Sequence, residues 1–88
     1  MKHELLVEND NNGPVIIAVT IDDIEIQVND QIIVEAQPAL VEGHTHCIDG
    51  KIKEINKSGI MIVDRVGKKV SIGYNNIIQI AHVPFKEG

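Results

Sequence analysis

Apolar residues recur at every second position through much of this chain of 88 residues. The clearest case is residues 24–28, where Ile24, Ile26 and Val28 alternate with Glu25 and Gln27. A two-residue period puts successive side chains on opposite faces of an extended strand, one face for a core and one for water. Further strands are expected over residues 3–8, 15–21 and 31–36. Turn chemistry separates them. Asn11-Asn12-Gly13-Pro14 supplies both an Asn-Gly turn and a proline that cannot donate to a central ladder. Asp22-Asp23 and Asn29-Asp30 mark the next two turns. Residues 37–46 follow neither a helical nor a strand period, with Pro38 and Gly43 inside them, and are expected to be a loop.

The second half is more tightly punctuated. Residues 47–55 read as a strand whose apolar parity changes from Ile48 and Ile52 to Ile55. Gly50 sits near that change, which predicts a β-bulge at Gly50 and a bend in the strand. Asn56-Lys57-Ser58-Gly59 forms a hairpin loop. Residues 60–66 place Ile60, Ile62 and Val66 on one face and Met61 and Val63 on the other, the pattern of a central strand covered on both sides. Gly67-Lys68 turns the chain into residues 69–74, Asn75-Asn76 makes a brief corner with one 3₁₀ turn, and a last strand runs over residues 77–83 until Pro84 ends it. No i, i+3, i+4, i+7 pattern persists beyond one turn, so no helix is expected.

Composition agrees with the pattern. The chain has 16 Ile and 10 Val against 3 Leu and 4 Ala, and β-branched side chains favour strands over helices. Turn signals every eight to twelve residues are the spacing of a barrel or sandwich. A chain this short builds one small core and buries only about 60% of its unfolded surface, which excludes a two-domain cofactor enzyme. Residues 1–88 are therefore expected to form a single domain: acidic strands over 1–36, a loop over 37–46 and a barrel core over 47–83. The N-terminus shows no signal-peptide pattern, the longest apolar run is far short of a membrane span, and the single cysteine forms no internal disulfide. A cytoplasmic, non-membrane protein is expected.

Net charge is −5, but it is unevenly spread. Residues 1–42 hold nine acids and one base, a charge of −8; residues 43–88 hold seven bases and four acids, a charge of +3. The bases Lys51, Lys53, Lys57, Arg65, Lys68 and Lys69 cluster in sequence, with Lys51 and Lys53 expected on one strand face. They are the candidate nucleic-acid contacts, since lysine and arginine bind phosphate without reading sequence. Lysines on strands and loops also guard sheet edges, which explains them structurally. Aromatic residues are two, Tyr74 and Phe85, too few for a base-stacking platform.

The chemically reactive side chains point elsewhere. His44, His46 and Cys47, with His82 as a third group, are ligand types for zinc. Their spacing is wrong for a structural site, which pairs Cys or His two to five residues apart on both sides. A thiol nucleophile would need a base within hydrogen-bond reach and a concave pocket beside it. Asp22-Asp23 fits a solvated turn better than an acid–base pair, and Gly43, Gly50, Gly59, Gly67 and Gly73 are too scattered for a phosphate-cradling loop. No catalytic residue, metal or cofactor is expected.

The series Gly50-Lys51-Ile52-Lys53-Glu54-Ile55-Asn56-x-x-Gly59-Ile60-x-Ile62-Val63-Asp64, followed by Val70-x-Ile72-x-Tyr74-x-x-Ile77-Ile78-x-Ile80, resembles the core of the SH3-like and Sm-like small barrels. Bacterial Hfq-type proteins and the Veg-like and Rof-like regulators share that layout, as does the last domain of the ribosome maturation factor RimP. The resemblance covers residues 47–83. It implies an all-β fold, a small strongly bent SH3-like or Sm-like barrel preceded by an N-terminal β-hairpin. It also implies a bacterial module that binds RNA or proteins that handle RNA. Where the Hfq-type pocket carries a Tyr-Lys-His stretch, this chain has Tyr74-Asn75-Asn76, so Tyr74 alone carries over as a binding residue. The expected function is a non-enzymatic module contacting RNA or another nucleic acid through the basic face. The alternative is a protein-interaction or regulatory module, either self-associating through edge strands or docking a basic partner with its acidic first half.

Overall fold

The computed structural model describes residues 2–37 and 46–83. They form eight strands: β1 (His3–Asp10), β2 (Gly13–Ile21), β3 (Ile24–Gln27), β4 (Gln31–Ala36), β5 (His46–Ile55), β6 (Gly59–Asp64), β7 (Lys69–Gly73) and β8 (Ile77–His82). One 3₁₀ turn, Tyr74–Asn76, joins β7 to β8. Among the described residues no helix is long and apolar enough to cross a membrane.

The strands make two antiparallel sheets, β1-β2-β3 and β7-β6-β5-β4-β8. The N-terminal part is thus a three-stranded sheet built from the strands expected over residues 3–8, 15–21 and 24–28, one strand more than the hairpin the small-barrel resemblance implies. Its third strand follows from the expected turn at Asp22-Asp23, two residues long, which closes the pair Ile21–Ile24. Both turn residues have positive φ, 48° and 70°, the backbone that matches the twist of flanking strands in a tight hairpin.

The two sheets share one core. Val19, Ile21 and Ile26 come from the first sheet; Ile32, Val34, Ile52, Ile62 and Ile80 come from the second. The polypeptide crosses between sheets at residues 28–30, where the Asn29 amide donates to Ile52 O (2.8 Å) and the Ile52 amide donates to Asp30 O (2.9 Å). The sheet edges also approach each other. The His82 Nε2 donates to Glu25 O at 2.8 Å, and the His3 ring stacks on Tyr74 with centroids 4.1 Å apart.

Two sequence expectations need correction. The bulge of β5 falls at Lys53, because Ile52 pairs with Ile62 while Glu54 pairs with Met61. Gly50 instead stays in register, between Ile32 and Asp64. Its role is close approach: a Cβ there would lie 2.5 Å from both Ile62 Cγ2 and Val63 O, so only glycine lets β6 fold over β5 at this point. Val66, expected on an apolar strand face, is 87% exposed. It lies in the turn after β6, which Asp64 closes by accepting from the Val66 amide (3.0 Å) and the Lys68 amide (2.8 Å). β6 itself is the interior strand expected, with Met61 and Val63 half-buried on its outer side.

Candidate nucleic-acid interface

Antiparallel pairing decides which bases meet. Gln31 pairs with Lys51, Lys51 with Val63, and Val63 with Lys69. Residues directly opposite one another share a face, so these four form one row across β4, β5, β6 and β7 on the outer face of the larger sheet. Strands lie about 4.8 Å apart, which puts Lys51 and Lys69 roughly 10 Å from each other. Lys53, the bulged residue, leaves the alternation but stays beside Lys51.

Lys51, Lys53 and Arg65 border one cleft of about 380 Å³, together with Asn29, Gln31 and one acid, Asp64. Arg65 Nη2 donates to Asp49 Oδ2 at 2.6 Å. The arginine side chain is 78% exposed, so this ion pair adds little stability. Its effect is directional: it holds the guanidinium over the sheet while other N–H groups remain for a ligand. The rest of the outer face is mixed, with Glu35, Asp49 and Glu54 among the lysines, and these acids moderate the local field.

The six bases do not form one continuous patch. Lys68 begins the approach to β7, near Arg65. Lys57 lies in the β5–β6 turn, at the other end of β6. Consecutive turns of a meander fall on opposite ends of the sheet, and the six residues of β6 separate them by roughly 20 Å. Tyr74 is a core residue, 2% exposed. Its hydroxyl donates to Asn56 O at 2.7 Å, and burial pushes the phenol up to about 12. Packed in this way, its ring is not presented for stacking on a base.

Asn29 and Gln31 escaped the sequence reading because they belong to the β3–β4 corner. Only the β4–β5 register carries them to Lys51, and no local signal encodes that register. The reactive side chains are dispersed. His46 pairs with Ala36 and Cys47 with Glu35, so strand alternation turns them to opposite faces. Cys47 is exposed, His82 is engaged by Glu25, and His44 lies outside the described residues. Among the described residues no three His, Cys, Asp or Glu side chains come together as metal ligands. Compared with protein-family models, curated proteins and solved structures, the chain finds no match.

Proposed function

We propose that the chain is a non-enzymatic binding module of the SH3-like or Sm-like kind that contacts RNA or another nucleic acid through phosphates. The observation that carries this reading is the cleft that gathers Lys51, Lys53 and Arg65 beside Asn29 and Gln31. Cations neutralise phosphates, while side-chain amides donate to phosphate and sugar oxygens and set orientation. Lys69, in the row of Lys51, and Lys68 extend the basic surface toward the β6–β7 turn. The strand order β7-β6-β5-β4-β8, with a 3₁₀ turn ahead of the last strand, supports the small-barrel reading.

Binding is then electrostatic and tolerant of sequence, because charge rather than aromatic stacking supplies it. Three phosphates neutralised on a single strand give a salt slope of roughly −2 in log K against log salt. The test is fluorescence anisotropy with mixed-sequence RNA and DNA strands, between about 50 and 200 mM salt. The expected result is binding at low salt that follows this slope. Lys51→Glu with Lys53→Glu abolishes it, and Lys57→Glu leaves it unchanged. No binding at low salt, or a cleft double variant no weaker than Lys57→Glu, overturns the proposal.

A further inference from the structure

β5 outruns its neighbour. β6 ends at Asp64, opposite Gly50, so among the described residues 46–49 of β5 run on with only β4 paired to them. The turn after β6 and the first residues of β7 pass alongside that stretch and leave a groove. It consists of two adjoining cavities of about 290 and 340 Å³, which share Cys47, Ile48 and Val70 as walls. Together they fall within the size range of small-molecule sites.

The groove changes character along its length. Its floor is Ile48 and Val70, both partly buried against the core, and Ala36 and Ile72 continue it. Val66 stands on the rim, 87% exposed, an apolar side chain that the fold leaves without cover. At the far end the Gln37 amide donates to Asn76 O at 2.8 Å, and these two residues close the groove. The near end holds Lys68 and Arg65 with two acids, Asp49 and Asp64. Both carboxylates are engaged: Asp49 accepts from Arg65, and Asp64 accepts from the Val66 and Lys68 amides. Among the described residues no carboxylate pairs with the Lys68 ammonium.

We propose that this groove binds a medium-chain fatty acid, with its carboxylate on Lys68 and the remaining Arg65 N–H groups and its acyl chain over Ile48 and Val70 toward Ile72. Cations at one end and an apolar floor at the other are the two halves of an anionic amphiphile. A nucleotide offers no chain for that floor, and a basic peptide would meet the cations. From Lys68 to Ile72 is four strand residues, about 13 Å. An extended chain advances about 1.1–1.2 Å per bond, so about ten carbons span the groove. The closed far end takes one free chain, not a bilayer surface. The site does not rest on the nucleic-acid reading, and no nucleic acid enters its test.

Titration calorimetry of the full chain with sodium decanoate, below the concentration at which it aggregates, tests the site. The expected result is a single ligand per chain. Octanoate binds more weakly, by roughly two- to fourfold per methylene removed, the upper figure being full burial, and butyrate does not bind. Lys68→Gln weakens decanoate roughly tenfold and Val66→Ser roughly threefold, while Lys57→Gln, at the other end of β6, leaves it unchanged. Circular dichroism checks that each variant is folded. The exposed Cys47 thiol reports the place: decanoate slows its alkylation by iodoacetamide in the wild type, and the same concentration does so less in Lys68→Gln. No binding at millimolar decanoate overturns the proposal. So does decan-1-ol binding as tightly as decanoate, or decanoate binding that leaves Cys47 as reactive as before.

Discussion

Tyr74 is the one tyrosine of a chain without tryptophan, so its ultraviolet absorbance reports a single site. Burial raises its phenol from 10.0 to about 12, and the neutral hydroxyl keeps its bond to Asn56 O. The neutral form is favoured in the fold, so the stability this group contributes is complete below pH 10. It is lost as pH rises from about 10 to about 12. A tyrosinate absorbance titration of the folded protein should therefore have its midpoint near 12, and a midpoint near 10 would mean that the ring is solvated. Asp22 and Asp23 offer a second test at this scale. Both sit at positive φ, where an L-residue with a Cβ is strained and glycine is not. Asp23→Gly should stabilise the protein by about 0.5–1 kcal/mol, after the entropy glycine adds to the unfolded chain, raising Tm by roughly 2–8 °C. A lower Tm on thermal melting would show that the Asp23 side chain contributes more than its backbone strain costs.

Strands become bent sheets here through three extra residues and one missing side chain. Ile17 in β2, Lys53 in β5 and Ile78 in β8 each stand unopposed where the register shifts, and a bulge bends its strand and increases local twist. At Lys53 the shift is what lets Ile52 and Ile55 both reach the core although they are three residues apart. Gly50 supplies the complementary device by letting β6 approach. Gly50→Ala places a methyl group against backbone and a buried isoleucine, so β5 must move. The cost expected for such overpacking is about 1–3 kcal/mol or more, measured by denaturant unfolding. Lys53→Ala, which keeps the residue count and so the parity, should change stability by less than about 0.5 kcal/mol. An unchanged midpoint for Gly50→Ala would remove the account of β5 given above.

The whole molecule is two sheets around one interior. Ile26, in the smaller sheet, and Ile62, in the larger, are both fully buried in the same cluster. Each truncation to alanine should cost about 2–5 kcal/mol, a large part of the stability of a domain this size. Because the core is common, both variants should still unfold in one transition, with circular dichroism and tyrosine signals coinciding. A separate early melt of the smaller sheet in Ile26→Ala would show that the two sheets stand apart. Charge is organised at this scale too: the acidic half of the sequence supplies the smaller sheet, and the basic half supplies β5, β6 and β7.

What the sequence determined alone is what its local chemistry specifies. Alternating Ile and Val fixed the all-β class and most of the buried positions, and Asn, Asp and Gly placed the turns to within a residue or two, because period and turn propensity act over a few neighbours. The tertiary structure decided the rest. It chose the bulge at Lys53 over Gly50, sent Val66 into solvent, buried Tyr74, and put Asn29 and Gln31 beside Lys51 while leaving Lys57 apart. Each of these follows from contacts between distant segments, such as Arg65 with Asp49 at 16 residues' separation and His82 with Glu25 at 57. A period of two states which residues may face inward; only the pairing of strands and the closure of a shared core settle which of them do.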